Sequence, residues 1–152
     1  MPGFNKLGFA LLVASICLTG IGCGGEMGLI TVTGKVVENG QPIDVPDYEE
    51  GVNNLRVIFV QLDESGSAIE QAAQMANVRQ DGTFTMVGNL GGGIEPGSYR
   101  VGIQNIGTGG DGSEGVDLWD GKHGPSSSTF VYEISGSNKD LTIDLADAPA
   151  AP

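Results

Sequence analysis

His123 stands in Gly121-Lys122-His123-Gly124-Pro125 and is the only histidine of the chain. An imidazole is the usual general base near neutral pH, and Ser126, Ser127 and Ser128 follow it closely. A serine that near in sequence seldom reaches the ring in triad geometry, and no nucleophile-elbow pattern is present. An exposed loop histidine is therefore the expected role, and no catalytic residue is assigned. Just upstream, Asp111, Glu114, Asp117 and Asp120 place four carboxylates within ten residues. Calcium takes about six to eight oxygens, and a glycine-rich loop can fold around it. The spacing lacks the later bidentate glutamate of an EF-hand loop, so a solvated acidic loop is the preferred reading and calcium the one cofactor candidate. Zinc is disfavoured: the two cysteines, Cys17 and Cys23, both lie near the start of the chain. Trp119 sits among charges and glycines rather than in an alternating strand. Such a tryptophan either covers the end of a domain or stacks on a sugar ring or a protein partner.

Two glycine runs, 88–93 and 107–112, invite comparison with phosphate loops. Neither ends in Lys-Ser/Thr and neither opens a helix, so both read as flexible inter-strand loops.

The charge balance narrows the partners. Seven Lys and Arg against 19 Asp and Glu give a net charge of −12 over 152 residues. Such a surface repels phosphate backbones and anionic lipid, which argues against nucleic acid. The 26 glycines and the modest 17% of charged residues suit turns and short strands better than helices. The length fits one domain, and a domain of that size can hold its fold by core burial without disulfides.

The first residues read as an address. Lys6 gives a positive start, and the apolar run from Leu7 to Leu18 is too short to span a hydrocarbon core, which needs about 20 helical residues. Small residues follow, so residues 1–22 are expected to be a cleaved signal peptide. The segment Leu18-Thr19-Gly20-Ile21-Gly22-Cys23 resembles a bacterial lipobox, with Gly20 departing from the aliphatic residue favoured there. That resemblance implies that Cys23 becomes the first residue and carries lipid, followed by a tether over 23–28. The membrane is then a partner through this anchor. The expected location is the cell envelope, facing the periplasm or the exterior, or otherwise secretion.

The body alternates with period two. Ile30, Val32, Gly34 and Val36 face one way, and Asn39-Gly40 supplies a turn. Residues 55–62 form an almost unbroken apolar run, as in a central strand. Residues 68–76 have helix-forming composition, yet Met75 to Val78 and Thr83 to Val87 flank Asp81-Gly82 and read as a hairpin. Tyr99, Val101 and Ile103, then Phe130, Tyr132 and Ile134, then Leu141, Ile143 and Leu145 complete the pattern. About seven strands separated by turns predict a single antiparallel β-sandwich over 29–146, with a loose tail at 147–152.

The order of these motifs resembles carboxypeptidase regulatory-like domains of the transthyretin-like, or prealbumin-like, type in small bacterial surface lipoproteins. Val32-Thr33-Gly34-Lys35-Val36 with Gly40-Gln41-Pro42-Ile43 is similar to their opening. Val57-Ile58-Phe59 is similar to their second strand, Asp81 to Met86 to their hairpin, and Gly97-Ser98-Tyr99-Arg100-Val101 to their Gly-x-Tyr-x-Val strand. Residues 44–54 depart from the pattern as an acidic loop insertion. The resemblance implies a non-catalytic accessory role and no particular substrate. The expected function is a binding or structural module that meets an envelope protein or glycan through loops 44–54 and 107–128, or through its sheet edges. The alternatives are a calcium-dependent adhesion or carbohydrate-binding module, and a hydrolase on the same fold.

Overall fold

The computed structural model describes residues 28–45, 48, 49, 52, 54–108, 112, 115–136 and 140–147. The expected signal peptide, Cys23 and its tether up to residue 27, Asp111, Glu114 and the tail beyond Asp147 lie outside the described residues. Among the described residues no helix is long and apolar enough to cross a membrane.

Two sheets pack face to face. The first holds β1 (Val32–Glu38), β2 (Gln41–Pro42), β5 (Thr83–Met86) and β9 (Asp140–Asp144). The second holds β3 (Asn54–Gln61), β4 (Gln74–Asn77), β6 (Gly97–Gly107), β7 (Val116–Asp117) and β8 (Val131–Ile134). The alternation read in the sequence is the reason. Val32 and Val36 of β1, Phe84 and Met86 of β5, and Leu141 and Ile143 of β9 point inward from one sheet. Leu55, Val57 and Phe59 of β3 and Tyr99, Val101 and Ile103 of β6 meet them from the other, forming one core. Phe59 is at its centre, with ring centroids 6.2 Å from Phe84 and 6.0 Å from Tyr99. The Tyr99 hydroxyl donates to the Glu95 carbonyl at 2.8 Å, tying the Glu95-Pro96-Gly97 turn to the strand that follows.

The chain is an all-β sandwich, with three corrections to the expected detail. Nine strands are described rather than seven, because two-residue strands, β2 and β7, extend the edges. The sandwich is not wholly antiparallel: β1 pairs in parallel with β9, Thr33 opposite Asp140 through Val37 opposite Asp144. These are the first and last strands, so the long connection a parallel pair requires is the rest of the domain. Asp81-Gly82 makes a turn but not a hairpin within one sheet. β4 pairs with β3 and β5 with β1, and one bridge, Val78 to Phe84, spans the corner between sheets. The helix-forming stretch yields one short 3-10 turn, Glu70–Ala72, before β4 begins.

Asn39 and Gly40 carry φ of 53° and 74°, a turn that returns the chain with Glu38 opposite Gln41. The Asp144 carboxylate accepts N–H groups of Ala146, Gly40 and Asn39, which fastens the end of β9 to this turn and holds its carboxyl below the usual range.

Strand direction gives the sandwich two unlike ends. The N-terminal entry at Ile30 and the loops 62–73 and 87–96 lie at one end. The β1–β2 turn, the start of β3 at Asn54, the Arg79–Gly82 turn and the end of β6 at Gly107 lie at the other.

Candidate functional site

The outer face of the second sheet is where part of the 107–128 loop folds onto the domain. On β3, Asn54, Ile58 and Val60 face outward, yet all three are buried. On β6, Ile106 is likewise buried outside the main core. A second layer of chain covers them, which explains why residues 55–62 are apolar on both faces. Residues 116–134 run along the whole free edge of β6. β7 pairs with Ile106 and Gly107, and β8 pairs with Gly97 through Arg100. Between them Asn105 accepts from the Leu118 N–H, while Ile103 donates to His123 at 2.7 Å and Val101 to Phe130 at 2.9 Å. This edge of β6 is therefore occupied and is closed to strand addition.

Gly102 permits the close approach. A Cβ there would lie 2.3 Å from the Pro125 nitrogen and 2.6 Å from the Gly124 carbonyl carbon, both backbone atoms. The loop folds directly onto the strand because that position has no side chain. The Ser128 hydroxyl donates to the Val101 carbonyl and accepts from the Phe130 N–H.

Asp117, one of the four calcium candidates, has a structural occupation. Its Oδ1 accepts the N–H groups of Asn105 and Trp119, and its Oδ2 that of Gly121, each at 3.1 Å. It thus organises the turn that carries Trp119. Asp120 is exposed with φ of 51°, and Asp111 and Glu114 lie outside the described residues. Among the described residues no group of three or more His, Cys, Asp or Glu is arranged to hold a metal. Replacing Asp117 by alanine leaves three amides without their acceptor. The expected result is a loss of about 1–3 kcal/mol, read by urea denaturation; unchanged stability would show that the turn holds without it.

Trp119 is half-buried, packs against the core and meets His123 edge-on at 5.2 Å. It covers the end of the sandwich rather than standing free as a stacking plate. His123 is less exposed than its loop position implied. Its Nδ1 is buried without a partner, and no described serine or carboxylate is hydrogen-bonded to the ring. Burial lowers its pKa below the ordinary value, aided by Lys122 and opposed by Glu38 and Asp117. The physical cause is the desolvation of the charged imidazolium where the ring packs against Trp119. The sign of the consequence follows. The unfolded chain takes up this proton near pH 6.5 and the folded chain only at lower pH, so falling pH through that window favours unfolding. Acid also relieves the repulsion of the net negative charge, so the measurement is a difference. The melting temperature of wild type relative to His123→Gln is expected to fall between about pH 7.5 and 5.5. A difference that stays constant would contradict it.

Two features of this face were not legible as sites in the sequence. Asn54 is fully buried with neither amide atom partnered. It reads in sequence as the last residue of the acidic insertion, and only the unbroken apolar run behind it hints at burial. Second, a groove of about 390 Å³ lies over Ile58 and Val60, walled by Ala68, Glu70, Arg100 and Pro125. Its walls come from segments more than 50 residues apart, which no local pattern can bring together. A second groove of about 400 Å³ crosses the outer face of the first sheet, over Thr33, Lys35, Thr85, Asp140 and Thr142. There the Thr33 hydroxyl donates to the Asp140 carboxylate.

No family model matches the chain. No curated protein and no solved structure matches it either.

Proposed function

We propose that this chain is an exported, lipid-anchored, non-catalytic β-sandwich of the cell envelope, transthyretin-like in type. Its lipid is carried by Cys23, and it presents the loop-covered end formed by residues 44–54 and 107–128 to an envelope protein or glycan. The observation that carries the reading is the opposition of the two ends. The first described residue, Gly28, follows Cys23 by five positions and leads directly to Ile30, which bridges to Ile94. β3 begins at Asn54 and β6 ends at Gly107 at the other end, so segments 44–54 and 107–116 join strands there, the side a partner would meet when the entry end faces a membrane. Stable anchoring requires more than one acyl chain, which a diacylated cysteine supplies.

The test is the intact mass of the full-length product recovered from membranes of a bacterium that expresses it. The expected species begins at Cys23 and carries acyl chains, and Cys23→Ser is expected to move the protein from the membrane to the soluble fraction. An unacylated wild type found only in the soluble fraction would rule the anchor out.

A further inference from the structure

The loop that joins β5 to β6 points Leu90 into solvent. Leu90 is 98% exposed, and Leu29 and Val87 are also exposed. Leu29 belongs to the same patch: its Cδ1 lies 3.0 Å from where a Cβ on Gly92 would stand. Single exposed leucines are ordinary, but one at the tip of a braced turn with Leu29 beside it is a local apolar surface.

The turn is braced rather than loose, against the flexible loop expected here. Gly91 donates to Gly88 at 3.1 Å and Gly93 to Val87 at 2.7 Å. The Asn89 N–H donates to Gln74 Oε1 at 2.7 Å, and its side-chain amide to the Ala73 carbonyl at 3.2 Å. Gly93, at φ of 113°, lies so close to Ile30 that a Cβ would meet its backbone at 2.7 Å. The loop is thus fastened to the segment by which the chain enters the domain, with Leu90 held outward.

We infer that Leu90, with Leu29, inserts into the outer part of the bilayer to which Cys23 is tied, and so fixes how the domain stands on the membrane. This rests on the lipid-anchor reading above. The occupant is chosen by chain length. Five Cα-to-Cα steps lead from Cys23 to Gly28, a span of at most about 17 Å. A lipidated Cys23 therefore holds this end of the sandwich, and no other, close to the headgroups. Glu95 is exposed beside the patch, so the contact is apolar insertion rather than attraction to anionic lipid.

The experiment uses the full-length acylated protein, isolated from membranes with its mass confirmed and placed in zwitterionic phosphatidylcholine vesicles. Leu90→Cys, and separately Gln80→Cys in the exposed turn at the opposite end, are labelled with an environment-sensitive dye. Acylated Cys23 has no free thiol and Cys17 is removed with the leader, so each variant carries one reactive site. Blue-shifted emission and quenching by spin-labelled lipid at position 90, with neither at position 80, is the expected result. An acylated protein whose dye at 90 stays as aqueous as that at 80 overturns the insertion and leaves the anchor standing. A mass without acyl chains overturns the anchor and the insertion with it.

Discussion

Phe59→Ala is expected to remove about 3–5 kcal/mol of stability. Phe59 is fully buried on β3, the central strand of the second sheet, and its ring reaches across to Phe84 of the first sheet and sideways to Tyr99 of β6. Its ring packs at the centre of the core that joins the two layers. Alanine leaves a cavity that neither sheet can close, because β3 is fixed by pairing to β6 along its whole length and to β4 from Arg56 to Phe59. A domain of this size has about 5–15 kcal/mol in all, so the variant would sit near the threshold of folding at 37 °C. Urea denaturation should show a lower midpoint with an unchanged slope. A loss below about 1 kcal/mol would mean that the core collapses around the gap, and that the two sheets are held mainly by their connecting turns.

The same strand shows where reading from sequence works and where it stops. Period-two alternation located the inward residues of β1, β5, β6 and β9, because each strand has one core face and one wetter face and the pattern records that difference. In β3 the pattern is nearly continuous, and the cause is not a neighbouring helix layer but two distant loop segments, 68–73 and 125–126, that flank its outer face. Nothing local in residues 55–62 identifies that cover. Asp81-Gly82 illustrates a second limit. The dipeptide specifies a tight turn, but whether the flanking strands pair with each other depends on long-range partners, here β3 for β4 and β1 for β5. The site loops repeat the lesson. Asp117 offered a carboxylate for calcium, whereas its oxygens are taken by three backbone N–H groups, a use that becomes visible only once the loop is closed. Trp119 was legible as an end cover, and the His123 ring packed beside it was not.

Gly102→Ala should separate the covering loop from the sheet without unfolding the sandwich. The backbone at Gly102 is ordinary strand, so alanine is conformationally acceptable and the penalty is purely one of space. The added Cβ would have to displace the Gly124–Pro125 backbone, and neither contact is the far end of a flexible side chain that could swing aside. The loop must lift, and the Ile103 to His123 bond, the nearest backbone tie, should lengthen or break. Overpacking of this kind costs about 1–3 kcal/mol, and a backbone group left unpaired beneath the loop adds to it. The loop also carries the chain's only tryptophan, so intrinsic fluorescence reports its position directly. Emission should shift to the red as Trp119 leaves the core, while the far-ultraviolet dichroism of the two sheets persists. Limited proteolysis should open first after Lys122, which is exposed within the loop. If residues 107–128 form the contact surface, this variant should also lose partner binding although position 102 is itself buried. Unchanged emission and unchanged protease resistance would show that the loop accommodates a methyl group beneath it. The closeness of Gly102 to Pro125 would then be a consequence of loop docking and not a requirement for it.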